Sequence, residues 1–297
     1  MKLRAALTVA LVVPSAIALT GPSGPTYAAA AVCQGQPATI EGAHGDIIGT
    51  EGNDVIVSTG AETDVKALGG NDLICVVGGG VQTGAGDDSV VSTAPAGTTT
   101  FVRLAAGSDT YVGGAGNSDV TIDEISSFHV AMGGGRGDIT LLPTSTPGTG
   151  TVDFGSSTGF LFARGQKSAR VDLAAQTAGV DGLLSVTTVG LHTATATACK
   201  VRMKGDNERN ILNAFGRDIV VSGGGGRDKL TRIANDYGMN LKHCGRFRSV
   251  LRGDGGPDRL LGRYGDDVLI GGPGRDAADG SDGVDTCRTE IRRNCER

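Results

Sequence analysis

The chain has 297 residues, no Trp, only 4% aromatic residues and 50 Gly, with a formal net charge of −5. That composition excludes a thick aromatic core, and acids mixed among the Arg and Lys residues exclude the basic face of a nucleic-acid binder. The apolar residues come as short runs of Val, Leu, Ile and Ala, which suit a thin, repetitive core in one or two domains.

Met1-Lys2-Leu3-Arg4 is a positively charged start, followed by a mostly apolar stretch from Ala5 to Leu19 and the small-residue run Ala28 to Ala31. This order predicts a secretory signal peptide over residues 1–30, and hence export to the extracellular space by the general secretory route. No segment is long and apolar enough to span a bilayer as a helix. The six cysteines, Cys33, Cys75, Cys199, Cys244, Cys287 and Cys295, fit an oxidising destination. Many pairings are open, and proximity along the chain favours 33–75, 199–244 and 287–295. The last has a physical condition: eight helical residues span about 12 Å, whereas a disulfide needs Cα atoms within about 7 Å. The segment "CRTEIRRNC" must therefore bend if that bridge forms.

Residues 31–92 carry Gly- and Asp-rich nonapeptides. "GTEGNDVIV" starts at Gly49, "ALGGNDLIC" at Ala67 and "TGAGDDSVV" at Thr83, and they place Asp54, Asp72 and Asp88 sixth. "TGAETDVKA", centred on Asp64, is a degenerate copy with Lys66 where an apolar residue belongs. The register slips here, since the interval from Asp72 to Asp88 is shorter than the two nonapeptides that separate Asp54 from Asp72.

Residues 93–204 are Thr- and Ser-rich, and β-branching between Gly turns predicts strands. They read as a degenerate β-solenoid that has lost most of its ligands. "LAAGSDTYV" still puts Asp109 in a plausible sixth place, whereas "GGAGNSDVT" slips by one at Asp119. Residues 205–288 return to the pattern, interrupted by an insertion over 231–252. "GGGGRDKLT" from Gly223 supplies Asp228, two full nonapeptides after Asn210. Four uninterrupted copies then follow, "GDGGPDRLL", "GRYGDDVLI", "GGPGRDAAD" and "GSDGVDTCR", with Asp258, Asp267, Asp276 and Asp285 sixth. Residues 289–297 form a basic, Cys-containing tail.

These copies resemble the haemolysin-type calcium-binding nonapeptide, the RTX repeat, G-G-x-G-x-D-x-U-x with U apolar. The resemblance implies a six-residue turn followed by a three-residue strand, two nonapeptides to a coil, and an all-β, right-handed parallel β-roll or β-solenoid. It also implies Ca²⁺ held by the sixth-place carboxylates: Asp54, Asp72, Asp88, Asp228, Asp258, Asp267, Asp276 and Asp285. "ARVDLAAQTAGV" and the run from Met203 to Val221 resemble the lead-in to such blocks.

The residues agree on their own terms. A three-residue strand turns its middle side chain inward, here Leu260, Leu269, Ala278 and Cys287, with Ile56 and Ile74 earlier. One coil buries little, so coils must stack. Stacking at about 4.8 Å sets Asp258 over Asp276, Asp267 over Asp285 and Asp54 over Asp72. Two bare carboxylates so placed repel by roughly 0.9 kcal/mol in water and roughly 3.5 kcal/mol at an effective dielectric of 20. Carboxylates and turn carbonyls are the hard oxygen ligands of Ca²⁺. Asp254, equally acidic but second in its nonapeptide, is expected to be dispensable.

The leading expectation is a secreted, non-catalytic calcium-binding protein with a structural, matrix or surface-binding role. Its partners are then calcium ions and a component of the extracellular matrix or a cell surface. Two other readings stand beside it. One is an adhesin- or toxin-like relative whose middle segment binds a cell-surface partner. The other is a secreted hydrolase using Ser157 of "GSSTG", which fits G-x-S-x-G but lacks the helix a nucleophile elbow requires. The four histidines form no HExxH, and the two "RGD" triplets are expected by chance in so Gly-rich a chain.

Overall fold

The computed structural model describes residues 30–233, 243–245 and 247–297. The expected leader, apart from Ala30, lies outside the described residues, as do residues 234–242 and 246 of the expected insertion. The described residues contain no α-helix, and none is long and apolar enough to cross a membrane.

Strands alternate between two long sheets. One is a 15-stranded sheet running from Ile40–Gly42 to Thr286–Arg288, and the other a 13-stranded sheet running from Gly45–Ile48 to Ile291–Arg293. Within each sheet a strand pairs in parallel with its counterpart one coil away, as Val55–Ser58 does with Leu73–Val76 and Arg259–Tyr264 with Ala277–Asp282. This is a β-solenoid with a core between two parallel sheets. The alternation of strand side chains fills it: Ser118, Val120 and Ile122 of Asn117–Ile122 point inward and are buried, and their neighbours face outward. Ile56, Ile74, Leu260, Leu269, Ala278 and Cys287 are all buried, as the nonapeptide pattern predicts.

The two extra strands of the larger sheet are a departure. Ser168–Asp172, Thr177–Val180 and Leu184–Val189 form an antiparallel meander inserted into the otherwise parallel stack. The segment "ARVDLAAQTAGV" is thus a hairpin, with Ala169 opposite Val180. A further two-stranded antiparallel pair, Val32–Cys33 with Gln36–Pro37, precedes the first coil.

Three disulfides join Cys33 to Cys75, Cys199 to Cys244 and Cys287 to Cys295, the pairing that chain proximity favours. The segment spanned by the last bends, with the short strands Thr286–Arg288 and Ile291–Arg293 on different sheets and the two Cα atoms 5.9 Å apart.

A candidate calcium ladder

The C-terminal nonapeptide turns take left-handed backbone at their second and fourth places. In the last four turns these are Asp254 and Gly256, Arg263 and Gly265, Gly272 and Gly274, and Ser281 and Gly283. The fourth place also abuts the neighbouring coil. A Cβ on Gly256 would overlap the carbonyl oxygen of Gly226, so glycine is required there for space as well as for φ. Coils packed this closely bring the sixth-place aspartates into direct register.

The aspartates form three ladders, and each step has one geometry. The backbone N–H of one sixth-place residue donates to the carboxylate of the next coil's. Along the first ladder Asp54 donates to Asp72 Oδ1 at 2.8 Å, Asp72 to Asp88 Oδ1 at 2.8 Å, and Asp88 to Asp109 Oδ1 at 3.1 Å. Along the second, Asn210 donates to Asp228, Asp228 to Asp258 and Asp258 to Asp276, each to Oδ1 at 2.8 Å. On the third, Asp267 donates to Asp285 Oδ1 at 2.8 Å. All eight sequence-predicted aspartates are buried members of these ladders, and Asp109 is a ninth.

One carboxylate oxygen of each step is used by an amide, and the other is left over. Oδ2 of Asp72, Asp88, Asp228, Asp258, Asp276 and Asp285 is buried with no hydrogen-bond partner, and both oxygens of Asp267 are in that state. A buried unpaired carboxylate oxygen is costly. The ladder ends differ in kind. Asp54 Oδ2 accepts from the Thr50 amide and hydroxyl at 2.7 and 2.9 Å, and Asp109 Oδ2 accepts from Thr83 Oγ1 at 3.0 Å and the Ala105 amide at 3.1 Å. Above Asp267 stands Ser249 in strand register, and the largely buried Arg232 guanidinium, 4.2 Å over the Phe247 ring, comes within 3.9 Å of Asp267 Oδ2. A tethered cation thus closes that end.

First-place glycines shape the space beside the leftover oxygens. A Cβ on Gly262 would lie 2.6 Å from Asp267 Oδ2 and 2.8 Å from the carbonyl oxygen of Gly280, one coil on. Gly223 and Gly253 repeat this arrangement with Asp228 and Gly253, and with Asp258 and Gly271. An unpartnered carboxylate oxygen and a neighbouring coil's carbonyl therefore converge where no side chain intrudes. That oxygen-only donor set fits Ca²⁺. No cluster of three or more His, Cys, Asp or Glu side chains is found among the described residues, so backbone carbonyls must supply a large share of any coordination sphere.

Burial controls the charge state. It pushes Asp88 and Asp267 up to about 7, and Asp109, Asp228 and Asp258 up to about 6, while the amide bonds received at Asp88, Asp109, Asp228 and Asp258 act in the opposite direction. Asp72, Asp276 and Asp285 are raised by the same desolvation. A bound dication would hold these groups ionised.

Of two further residues singled out in the sequence, Asp254 departs from expectation and Ser157 does not. Asp254 has φ of +68° and its carboxylate accepts a hydrogen bond from Ser222 Oγ, so it is not an inert acid. Ser157 Oγ is buried without a hydrogen-bond partner, and its turn leads into the strand Leu161–Arg164, so the elbow's helix is not formed and no base meets the hydroxyl. Sequence reasoning passed over Arg232, and it also passed over Glu290 and Glu296, which accept the ladder amides of Asp276 and Asp285.

Comparison with protein families gives a match to the RTX calcium-binding nonapeptide repeat, in four copies, over residues 104–120 and 252–287. The first segment contains Asp109, and the second contains Asp258, Asp267, Asp276 and Asp285. No curated protein matches the chain. Over those residues the chain carries RTX calcium-binding nonapeptide repeats, set in register on a parallel β-solenoid.

Proposed function

We propose that this is an exported protein whose solenoid is completed by Ca²⁺ binding between stacked sixth-place aspartates, and that its role is structural or surface-binding rather than catalytic. The observation that carries the reading is the leftover, buried Oδ2 repeated at successive coils, which at Asp228, Asp258, Asp267 and Asp285 lies beside a neighbouring coil's carbonyl. Asp72, Asp88, Asp228, Asp258, Asp267, Asp276 and Asp285 are the ligands on this account. Asp54, whose Oδ2 accepts from Thr50 and whose Oδ1 accepts from Thr39 Oγ1 at 3.3 Å, is the weakest ligand of the set, at the outer end.

Export fits the chemistry. Calcium modules of extracellular proteins bind at about 10⁻⁴ to 10⁻³ M, so such a chain stays incompletely folded where free calcium is low and folds where it is abundant. The N-terminal leader pattern and the three disulfides support the same destination. The solenoid's outer faces are the surfaces left for a matrix or cell-surface partner.

Calcium titration of the purified chain, read by circular dichroism and protease resistance, tests the proposal. β signal and resistance should rise together in millimolar calcium, and magnesium, which demands a tighter octahedron, should not substitute. A chain that binds no calcium and is equally resistant in chelator overturns it.

A further inference from the structure

The last residues of the sequence depart from the nonapeptide, yet they repeat the ladder's geometry. The Asp276 amide donates to Glu290 Oε2 at 2.8 Å, and the Asp285 amide to Glu296 Oε2 at 2.7 Å. Those are the bonds that Asp258 makes to Asp276 and Asp267 to Asp285. The register continues as well. Ile291 pairs with Ala277, which places Glu290 one coil beyond Asp276, and the Ile291 amide donates to the Asp276 carbonyl as Ala277 does to Asp258.

The leftover oxygens continue too. Asp276 and Asp285 are fully buried, and Oδ2 of each has no partner. At Gly280, a first-place glycine, a Cβ would overlap both Asp285 Oδ2 and the carbonyl oxygen of Asn294. Asn294 there stands where Gly280 stands for Gly262. The steps are short, 14 residues from Asp276 to Glu290 and 11 from Asp285 to Glu296. Glu, one methylene longer than Asp, reaches the same amide from the shorter turn. The Cys287–Cys295 disulfide closes the loop that carries Glu290 and anchors the residue next to Glu296.

We propose that Glu290 and Glu296 are ligands of two terminal calcium sites, one shared with Asp276 and one with Asp285. The Asn294 carbonyl contributes to the second. This rests on the calcium reading above and extends it to a disulfide-closed segment outside the repeat. Two ladders then end on carboxylates that bind metal, whereas the upper end of the third-ladder pair Asp267–Asp285 ends on the tethered guanidinium of Arg232.

The test is calorimetric calcium titration of the full chain and of Glu290→Gln, Glu296→Gln and the double variant. Glutamine keeps an oxygen to accept the ladder amide but removes the charge, which separates a ligand from a purely structural cap. Each single variant should bind one calcium fewer than the unsubstituted chain, and the double variant two fewer, with a higher calcium midpoint for folding. Unchanged stoichiometry in variants that fold in saturating calcium overturns the proposal. If the unsubstituted chain binds no calcium, the proposed function fails instead. For variants that do not fold, crystals of the unsubstituted chain soaked in terbium supply the second readout. Anomalous density between Asp285 and Glu296 is expected, and its absence beside density at Asp258–Asp276 overturns the assignment.

Discussion

The coils from Asn117 to Val189 and those from Lys200 to Arg293 share one architecture and hold it together by different means. The former stack large apolar side chains: Ile122, Ile125, Phe128, Met132, Ile139, Leu141, Phe154 and Leu161 are all buried. Their coil length drifts upward along the stack, from the pairing of Ser118 with Gly137, through Ser127 with Thr149, to Gly148 with Leu184 across the meander. From Leu230 onward the latter offer a thinner interior of Leu251, Leu260, Leu269 and Ala278, and the turns of Asp228, Asp258, Asp267, Asp276 and Asp285 each bury a carboxylate. Their strand partners stay two nonapeptides apart, as at Ser249–Asp267 and Arg259–Ala277, except where the insertion lengthens the coil between Lys229 and Arg259 and where the last coil shortens between Ala277 and Ile291. An apolar core tolerates turns of any length. A ladder demands that each carboxylate meet the next coil's amide, so variation must leave the ladder itself untouched.

Calcium removal should break the comparison most widely. In chelator, amides of Asp228, Asp258 and Asp267 should lose most of their hydrogen-exchange protection, while those of Val120 and Ile139 stay protected. A free-energy gap of several kcal/mol between the two regions is expected, because local openings span the range from near zero to the global value. Equal loss in both regions would show one cooperative unit instead. The converse change is smaller and calcium-independent. Ile139→Ala leaves a cavity in the apolar coils and should cost about 2–5 kcal/mol, with the calcium midpoint of the C-terminal coils unchanged. Thermal melts in calcium and in chelator measure both.

Acidity sharpens the same contrast. With folded-state values of about 6 to 7 at Asp88, Asp109, Asp228, Asp258 and Asp267, the calcium-free fold holds protons that the unfolded chain releases near pH 4. The folded form therefore binds more protons between about pH 4 and pH 7, and its stability falls as pH rises through that window. The melting temperature of the ladder coils in calcium-free buffer should thus be highest in mild acid and lowest above pH 7. Saturating calcium should remove the decline, since bound metal replaces the protons. A calcium-free stability that rises from pH 4 to pH 7 would contradict the buried, desolvated state of these carboxylates.

Where the sequence keeps a strict period, the structure could be anticipated residue by residue. The pairs Asp54–Asp72, Asn210–Asp228, Asp258–Asp276 and Asp267–Asp285 stand 18 apart and are bonded as that period requires. Other steps are bonded equally well across 16, 21 and 30 residues, at Asp72–Asp88, Asp88–Asp109 and Asp228–Asp258. Those were illegible as steps because turns of different length restore the spatial register after the sequence period is lost. Glu290 and Glu296 were hidden twice, by residue type and by spacing. The Ser168–Val189 meander was hidden for another reason: β-branched alternation marks a strand but says nothing of whether its neighbour runs parallel or antiparallel.

The smallest effect is the control that separates registered ligands from general acidity. Asp254→Ala does not serve, because it removes the hydrogen bond from Ser222 and puts a Cβ-bearing apolar residue at φ +68°. Those changes together cost on the order of 1–2 kcal/mol with no metal involved. Asp282 is the better choice. It is exposed, third in its turn, outside the left-handed positions, and in the same nonapeptide as the ladder residue Asp285. Asp282→Ala removes one negative charge from the last nonapeptide and should shift the calcium midpoint only by the screened long-range term, within about 0.5 kcal/mol. Asp267→Ala removes the same charge from a buried ladder position and should lose a site outright. Calorimetry on the two variants at low and physiological salt decides between them. Similar losses, both fading with salt, would mean that calcium is drawn by diffuse charge and that the ladder register is incidental to binding.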